Sequence, residues 1–313
     1  MTPTLLRDQF RAMGSNVVVV VNGGVHGHLS LARDRLAFLE ARWSRFREHS
    51  DLSRLNAGNG RAVVVDPCTI ELLEAMMYAH LLTDGSFDPT LLEPLVRLGY
   101  AASVHDPALV SELPPGVQTR GAIRGLMINL DESTAQLPPG TAVDAGGLGK
   151  GLAADVVAEL LLAHGVDGAM VDVGGDVRVM GDGPFDGQWL VTIDGPFDPE
   201  QPSMGLLLDA GGVGTSGTLR RSWVTADGTP AHHVLDPSFA TPTPGGFDAP
   251  VHATVLAPTA KEAEMHSTAA LVRGPASALP SLQVDGRAAR IVDGSGRAHT
   301  NSLWDHVVVT DEV

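Results

Sequence analysis

The sequence predicts a fold that combines α-helices with β-strands, and three stretches of the chain support this prediction. Residues 16–22 (NVVVVVN) form a run of β-branched side chains, which is typical of a buried strand. Leu152, Val156 and Leu160 recur every four residues and therefore mark one face of a helix. Residues 169–173 (AMVDV), four of which are apolar, follow that helix and indicate a second buried strand. Helix and strand patterns thus alternate along the chain.

Further elements are predicted in chain order. Apolar residues at helical spacing predict a helix after the first strand: Leu29, Ala32, Leu36, Leu39, Trp43 and Phe46. Asp66 and Pro67 predict the next helix, as its N-cap and first-turn residue, and Gly85 follows its end. Residues 101–142 are predicted to form a helical turn and a hairpin, and further strands are predicted at 189–193 and 205–208. A capping box of Thr259 and Glu262 predicts the beginning of another helix. A strand pair is predicted around the turn 293–296.

The composition limits the classes of protein to which the chain can belong. Its 313 residues suffice for one large domain or two modest ones. The 37 acidic and 21 basic residues give a net charge of -16, which argues against general nucleic-acid binding because that function needs a basic surface. The single cysteine, Cys68, cannot form an internal disulfide. No apolar run is long enough to span a membrane and residues 1–15 carry no signal peptide, so we expect a soluble cytoplasmic protein without membrane insertion.

The stretch 143–181 contains a candidate ligand site, because four glycines surround Lys150 immediately before a predicted helix. Backbone amides at the beginning of a helix favour anions, and phosphate is the usual one. Two standard phosphate motifs do not fit. A P-loop requires Ser or Thr after the lysine, where Gly151 stands. The literal GxGxxG at 212–217 is followed by residues without helical periodicity, so we do not expect a dinucleotide-binding loop there.

The sequence DAGGLGKG at 144–151 resembles the D-x-G-G-x-A-K-G signature of the ApbE-like FAD:protein FMN transferases. Further segments match the same family in the same order: Met13–Gly14, Phe87–Thr90, His233–Pro237 and Glu264–Thr268. The resemblance implies an α+β fold of mixed β-sheets flanked by helices, forming a single compact flavin-transferase domain over residues 1–313. It also implies an FAD site where the glycine loop, the turn at 87–90 and the segment 233–237 converge.

The resemblance further implies that the protein transfers FMN from FAD to a threonine or serine hydroxyl of an acceptor flavoprotein and releases AMP. Mg²⁺ would be held by Glu264, Thr268 and the carbonyl of Gly147, with Glu264 standing where the family carries aspartate. His233 is the candidate base for the accepting hydroxyl, because the ordinary pKa of histidine suits proton transfer near neutrality.

Residues expected to contact FAD are Met13, Phe46, Ser86, Phe87, Asp88, Asp144, Lys150 and Val234. Asp88 precedes a proline, which restricts its backbone to extended geometry, so we expect its carboxylate to be free for a ligand. Lys150 would add a positive charge beside the pyrophosphate. Because a lysine in a turn contributes little to a core, Lys150→Ala is expected to weaken FAD binding and to leave the fold intact.

Two alternatives to the transferase remain open. The first is a pyrophosphatase that splits FAD into FMN and AMP, and the second is a non-enzymatic FAD-binding protein. The chain departs from the family after Pro237, because the R-T-G of the family is replaced by Ser238, Phe239 and Ala240. Zinc is disfavoured, because the histidines lack the HxxxH and HExxH spacings and no cysteine pair accompanies them.

Overall fold

The computed structural model describes residues 5–103, 106–118, 120–197 and 202–309. Its contacts divide the chain into two compact units. Unit 1 comprises the described residues of Met1–Ala37, Lys150–Arg220 and Pro244–Val313. Unit 2 comprises those of Phe38–Gly149 and Arg221–Thr243. That residues 1–313 form a single domain stays a prediction.

In chain order, the helices and strands are β1 (Leu5–Ala12), β2 (Ser15–Asn22), α1 (His26–Trp43), α2 (Asp51–Ala57), β3 (Val63–Val64), α3 (Pro67–Leu82), α4 (Leu92–Arg97), β4 (Met127–Asn129), β5 (Thr134–Gln136), α5 (Gly149–Ala163), β6 (Gly168–Val173), β7 (Asp176–Gly181), β8 (Trp189–Asp194), β9 (Pro202–Leu208), β10 (Gly211–Gly217), β11 (Ser222–Val224), β12 (Pro230–His232), β13 (Leu235–Asp236), β14 (Thr241–Pro242), β15 (Pro250–Ala257), α6 (Ala260–Arg273), α7 (Pro275–Val284), β16 (Ala289–Asp293), β17 (Ala298–Thr300) and β18 (Val308–Val309). Two 3₁₀ turns lie at Ala122–Gly125 and Trp304–His306.

Unit 1 is built on an eight-stranded sheet in the spatial order β1-β2-β6-β7-β10-β15-β16-β17, in which neighbouring strands are antiparallel. One face carries Val177 and Val213, which pack in a buried cluster with Trp189, Leu206 and Trp304. Trp189 and Leu206 belong to the three-stranded sheet β18-β9-β8. Each large apolar side chain buried in this way contributes about 1.5–3 kcal/mol, so the cluster holds the small sheet against the large one.

Helix α6 packs closely on strand β10. A Cβ atom added to Gly212 would lie 2.3 Å from the amide nitrogen of Ala260, and one added to Gly214 would lie 2.2 Å from the carbonyl carbon of Ala263. Real Cβ atoms essentially never approach other atoms closer than 3.0 Å, so only glycine fits at both positions. Gly212 and Gly214 of GVGTSG therefore serve helix packing, and the whole motif lies in strand β10.

Buried polar side chains hold unit 2 together near the glycine-rich loop. The carboxylate of Asp51 accepts hydrogen bonds from the amide of Asp66 at 2.7 Å and from the hydroxyl of Thr69 at 2.9 Å. The side chain of Asn56 bonds both to the amide of Val143 at 2.8 Å and to its carbonyl at 2.9 Å. Because buried polar atoms are costly unless paired, these bonds specify one position for the chain immediately before Asp144.

The predicted α+β class is confirmed, since helices flank several sheets, and the strands predicted at 16–22, 169–173, 189–193 and 205–208 appear as β2, β6, β8 and β9. The hairpin within 101–142 and the strand pair around 293–296 are also present. The capping box is only half formed: Thr259 Oγ1 accepts the amide of Glu262 at 3.3 Å, but the Glu262 carboxylate pairs with Arg287. Strand β1 and helix α7 were not predicted. None of the described helices is both long and apolar enough to cross a membrane.

Candidate active site

A buried charged cluster in unit 1 joins the first turn of helix α5 to helix α6. Lys150 Nζ pairs with the carboxylate of Asp176 and lies 3.0 Å from Glu264 Oε1. Asp176 is completely buried and Glu264 is 1% exposed. The other oxygen of Glu264 accepts the amide hydrogen of Gly151 at 2.7 Å, in the first turn of α5. Two buried carboxyl groups thus share one ammonium group.

The electrostatics of this cluster favour an additional cation. Burial and the neighbouring Glu264 carboxylate raise the pKa of Asp176 well above its ordinary value, and Lys150 opposes that shift. A raised carboxyl pKa means that the negative charge is under-stabilised. A bound cation would relieve this repulsion, so the residues present fit a metal ion at this position.

Hydroxyl groups lie beside Glu264 on the same helix face. Thr268 follows Glu264 by one turn of α6, as predicted, and its Oγ1 lies 3.0 Å from Ser216 Oγ. Ser216 Oγ in turn lies 2.8 Å from Ser267 Oγ. Carboxylate and hydroxyl oxygens suit a hard cation such as Mg²⁺. Within the described ranges no three His, Cys, Asp or Glu side chains are grouped to hold a metal, so any such site would also need hydroxyl, carbonyl or substrate oxygens.

Two tight hairpin turns lie next to Lys150 at one end of the large sheet. Met13 and Gly14 connect β1 to β2 with φ angles of 51° and 65°, and Gly174 and Gly175 connect β6 to β7 with φ angles of 69° and 93°. A Cβ atom on Gly174 would lie 2.6 Å from Ser15 Oγ and 3.8 Å from Lys150 Cδ. The first turn is strained, because methionine rarely adopts positive φ.

Met13→Gly is expected to stabilise the protein by about 1 kcal/mol, because glycine adopts positive φ without steric cost. The same variant should bind FAD more weakly if the methionine side chain contacts the flavin, as predicted. Thermal unfolding and FAD titration measure the two effects. Ser133→Gly is the matched control: Ser133 has φ 49° in the β4–β5 turn, so it should gain stability without a change in FAD affinity. If Met13→Gly binds FAD as tightly as Ser133→Gly and the wild type do, Met13 does not belong to the FAD site.

In unit 2, the turn at 86–90 is more tightly bonded than predicted. Asp88 Oδ1 accepts hydrogen bonds from the amide of Thr90 at 2.9 Å and from its hydroxyl at 2.6 Å, and Oδ2 accepts the amide of Gly121 at 2.9 Å. The expectation of a free Asp88 carboxylate is therefore wrong: the turn uses the carboxylate to hold itself and the 121 loop together. Ser86 is half-buried, whereas the Phe87 side chain is only 3% exposed and belongs to the core.

Asp144 lies beside that turn and is oriented by a buried arginine. Its amide donates to the carbonyl of Pro89 at 2.9 Å, and its Oδ2 lies 3.3 Å from Arg45 Nε. The Arg45 guanidinium also stacks on the Phe46 ring at 4.1 Å from its centroid and donates to the carbonyl of Tyr100 at 2.9 Å. One arginine thus positions two predicted FAD contacts, Asp144 and Phe46. Sequence reasoning missed Arg45, although it is adjacent to Phe46.

The segment 233–237 joins the same part of unit 2. Leu235 packs in a buried cluster with Leu91 and Leu95, which follow the turn at 86–90. Val234 is buried, and its carbonyl accepts the amide of Thr243 at 3.1 Å. His233 is half-buried, and its Nδ1 lies 3.4 Å from the carbonyl of Arg221. The same carbonyl accepts the backbone amide of His233 at 3.3 Å, so two contacts to Arg221 hold this histidine in place.

These features can be compared with known proteins. A model of the ApbE family matches residues 13–291. The chain belongs to the ApbE family. Curated relatives include the FAD:protein FMN transferases of Treponema pallidum, 30% identical over 73% of this chain and 66% of the relative, and of Escherichia coli K12, 27% identical over 81% and 73%. The matches thus span about two thirds to three quarters of the relatives' lengths. The predicted membership in a transferase family is confirmed.

Solved structures of the ApbE family share the fold of this chain. The ApbE protein from Thermotoga maritima superposes with a TM-score of 0.83 at 24% identity and covers 97% of this chain and 99% of its own. The apo flavinyl transferase ApbE from Pseudomonas stutzeri gives 0.79 at 24% identity, over 100% and 99%. At these identities the likeness establishes the fold alone.

The ApbE segments found in the sequence fall into two groups in the structure. Unit 1 brings together Met13, Lys150, Glu264 and Thr268, and unit 2 brings together Asp144, the turn at 86–90 and the segment 233–237. Gly147 lies in unit 2 with a φ of 80°, in the turn before α5. Asp176 was not predicted as a site residue, although it directly follows the paired glycines 174 and 175.

Proposed function

We propose that the protein transfers FMN from FAD to a threonine or serine hydroxyl of an acceptor protein and releases AMP. The observation that carries the proposal is the buried Lys150–Asp176–Glu264 cluster, placed at the first turn of a glycine-preceded helix in a chain of the ApbE family. In the proposed step the hydroxyl oxygen forms a bond to the FMN phosphorus, and the bond from that phosphorus to the AMP oxygen breaks. The hydroxyl proton passes to a base, and AMP leaves with the bridging oxygen.

In unit 1, Glu264 and Thr268 are assigned to hold Mg²⁺, and the carbonyl of Gly147 stays a predicted ligand. The support is chemical: a buried carboxyl group that shares one lysine with a second carboxyl group, and a hydroxyl one helical turn away. Bound there, Mg²⁺ would supply positive charge against the pyrophosphate. Lys150 is assigned to the same pyrophosphate, and Met13 to the flavin ring.

In unit 2, His233 is assigned to take the proton of the accepting hydroxyl. Phe46, held by Arg45, is assigned to the flavin ring, and Asp144 to the nucleotide. Ser86, Phe87, Asp88 and Val234 are assigned to the wall of the FAD site. Phe87 and Val234 are buried and Asp88 is fully bonded, so these residues would shape the site through their backbone rather than by free side chains.

The test is incubation of the protein with FAD, Mg²⁺ and a threonine-bearing fragment of a flavin-accepting protein, followed by mass spectrometry of the fragment and quantification of AMP. We expect the fragment to gain the mass of FMN in equal amount to the AMP released. A fragment with alanine in place of the threonine, and a reaction with a metal chelator, are the controls. AMP without covalent flavin would establish a pyrophosphatase instead, and FAD binding without AMP would establish a binding protein.

A further inference from the structure

A cleft on unit 2 lies beside the turn at which this chain departs from its family. It encloses about 350 Å³ and is lined by Glu93, Arg97, Gln118, Arg120, Phe239 and Ala240. Phe239 is 74% exposed, although it is one of the largest apolar side chains. A single exposed aromatic residue is ordinary on a protein surface. It is less ordinary that this aromatic residue lines a cleft that also contains two arginines.

The turn that carries Phe239 is rigidly supported from below. Ala240 is 5% exposed and packs with Leu91, Leu95 and Leu235. It adopts a φ of 54°, which few residues other than glycine tolerate, and its amide donates to the carbonyl of Asp236 at 2.7 Å. Because the turn is pinned by its buried neighbour, Phe239 is held outward rather than drawn into the core.

The cleft is connected to the proposed unit 2 site by chain and by hydrogen bonds. Glu93 and Arg97 lie on α4, directly after the turn at 86–90. Arg120 precedes Gly121, whose amide donates to Asp88 at 2.9 Å and to the Thr90 hydroxyl at 2.8 Å. Phe239 and Ala240 directly follow the segment 233–237, which carries His233. A molecule bound in the cleft would therefore adjoin both the turn assigned to the FAD site and the segment assigned to the accepting hydroxyl.

The cleft carries a net positive charge, whereas the whole chain carries a net negative charge. Acidic residues outnumber basic ones by 37 to 21 in the whole sequence, whereas the cleft contains two arginines and one glutamate. Arg97 Nε lies 3.4 Å from Glu93 Oε1, so that pair is balanced and Arg120 supplies the excess positive charge. Arginine and aromatic side chains are also the residue types that dominate binding at protein interfaces.

We infer that this cleft docks an acidic segment of the acceptor protein next to the hydroxyl that receives FMN. Arg120 attracts the acidic side chains of the segment, and Phe239 covers an apolar one. This inference rests on the proposed transferase function, because it assigns the second substrate of that reaction to a surface. It also explains the altered turn: the chain has exchanged the family's R-T-G for a turn that presents an aromatic contact.

The test measures peptide binding directly, without FAD, by fluorescence anisotropy. The probes are a labelled peptide in which one threonine is flanked by aspartates and a leucine, and the same peptide with asparagines in place of the aspartates. We expect the aspartate peptide to bind about tenfold more tightly than the asparagine peptide, and the difference to shrink at high salt. Arg120→Glu should weaken the aspartate peptide about tenfold, and Phe239→Ala by several fold.

Arg61→Glu is the matched control, because Arg61 is an exposed arginine of unit 2 that does not line the cleft. It should leave peptide affinity within about twofold of the wild type. FAD affinity should be unchanged in all three variants, and thermal unfolding should show them folded, since each alters an exposed side chain.

Three results would each overturn the docking site. The two peptides could bind equally, or neither could bind, or both cleft variants could leave peptide affinity unchanged. Finally, Arg120→Glu could lose FAD affinity, which would make the cleft part of the FAD site. The proposed transferase function is judged separately by AMP release and covalent flavin. A protein that binds the aspartate peptide through Arg120 but releases no AMP would keep the docking surface and lose the transferase proposal.

Discussion

Glu264→Gln is expected to lower the rate of AMP release from FAD by about a hundredfold or more while the protein remains folded. The amide keeps the shape of the carboxylate, and its oxygen can still accept the Gly151 amide that Glu264 now accepts at 2.7 Å. Lys150 and Asp176 then remain as a buried pair without excess charge. What is lost is the charge that a hard cation requires, so the pyrophosphate is left without metal assistance.

The measurement is AMP release across a Mg²⁺ titration, with FAD affinity determined in parallel. Glu262→Gln removes a different carboxylate of helix α6, one that pairs with Arg287, and should retain near wild-type activity and metal dependence. Glu264→Asp restores the family residue and keeps the charge, so activity should remain comparable to the wild type. If Glu264→Gln keeps both its rate and its Mg²⁺ dependence, the metal site assigned to α6 does not exist.

Lys150→Ala is expected to destabilise the protein by about 3 kcal/mol or more, which corrects the sequence-based expectation of an intact fold. The lysine side chain is only 19% exposed and holds two carboxylates that are almost fully buried. Its removal leaves both without a cation. Because burial and Glu264 already raise the pKa of Asp176, the folded variant takes up protons more readily than the unfolded chain. Its stability should therefore fall as the pH rises through that raised pKa, and the deficit should be smallest in mild acid.

Urea unfolding at neutral and mildly acidic pH measures this effect. Lys261→Ala, at the other lysine of the chain, is the matched control and should change stability by less than about 0.5 kcal/mol. Adding Asp176→Asn to Lys150→Ala should restore much of the loss, because one buried charge is then removed with its partner. If Lys150→Ala unfolds at the same urea midpoint as the wild type, Lys150 does not stabilise the two buried carboxyl groups.

The sequence was informative wherever the signal is local. The β-branched run at 16–22, the N-cap at Asp66 and the glycine loop before α5 each predict their element from neighbouring residues. The partners of the charged side chains could not be predicted in this way. Asp176 reaches Lys150 from 26 positions away and Gly151 meets Glu264 across 113, and no periodicity encodes such pairs. The expectation that the Asp88 carboxylate is free was wrong for the same reason, because its partner Gly121 lies 33 residues downstream.

Strand β10 also determines how the site could change under selection or design. Its glycines let the backbone of α6 rest directly on the backbone of the strand, so no side chain at that contact can be enlarged or trimmed to shift the helix. The positions of residues 264 and 268 relative to the sheet are therefore mechanically fixed. If the proposed metal binds there, its preference would be adjusted by exchanging those two side chains themselves, and the glutamate at 264, where the family carries aspartate, is an exchange of this kind.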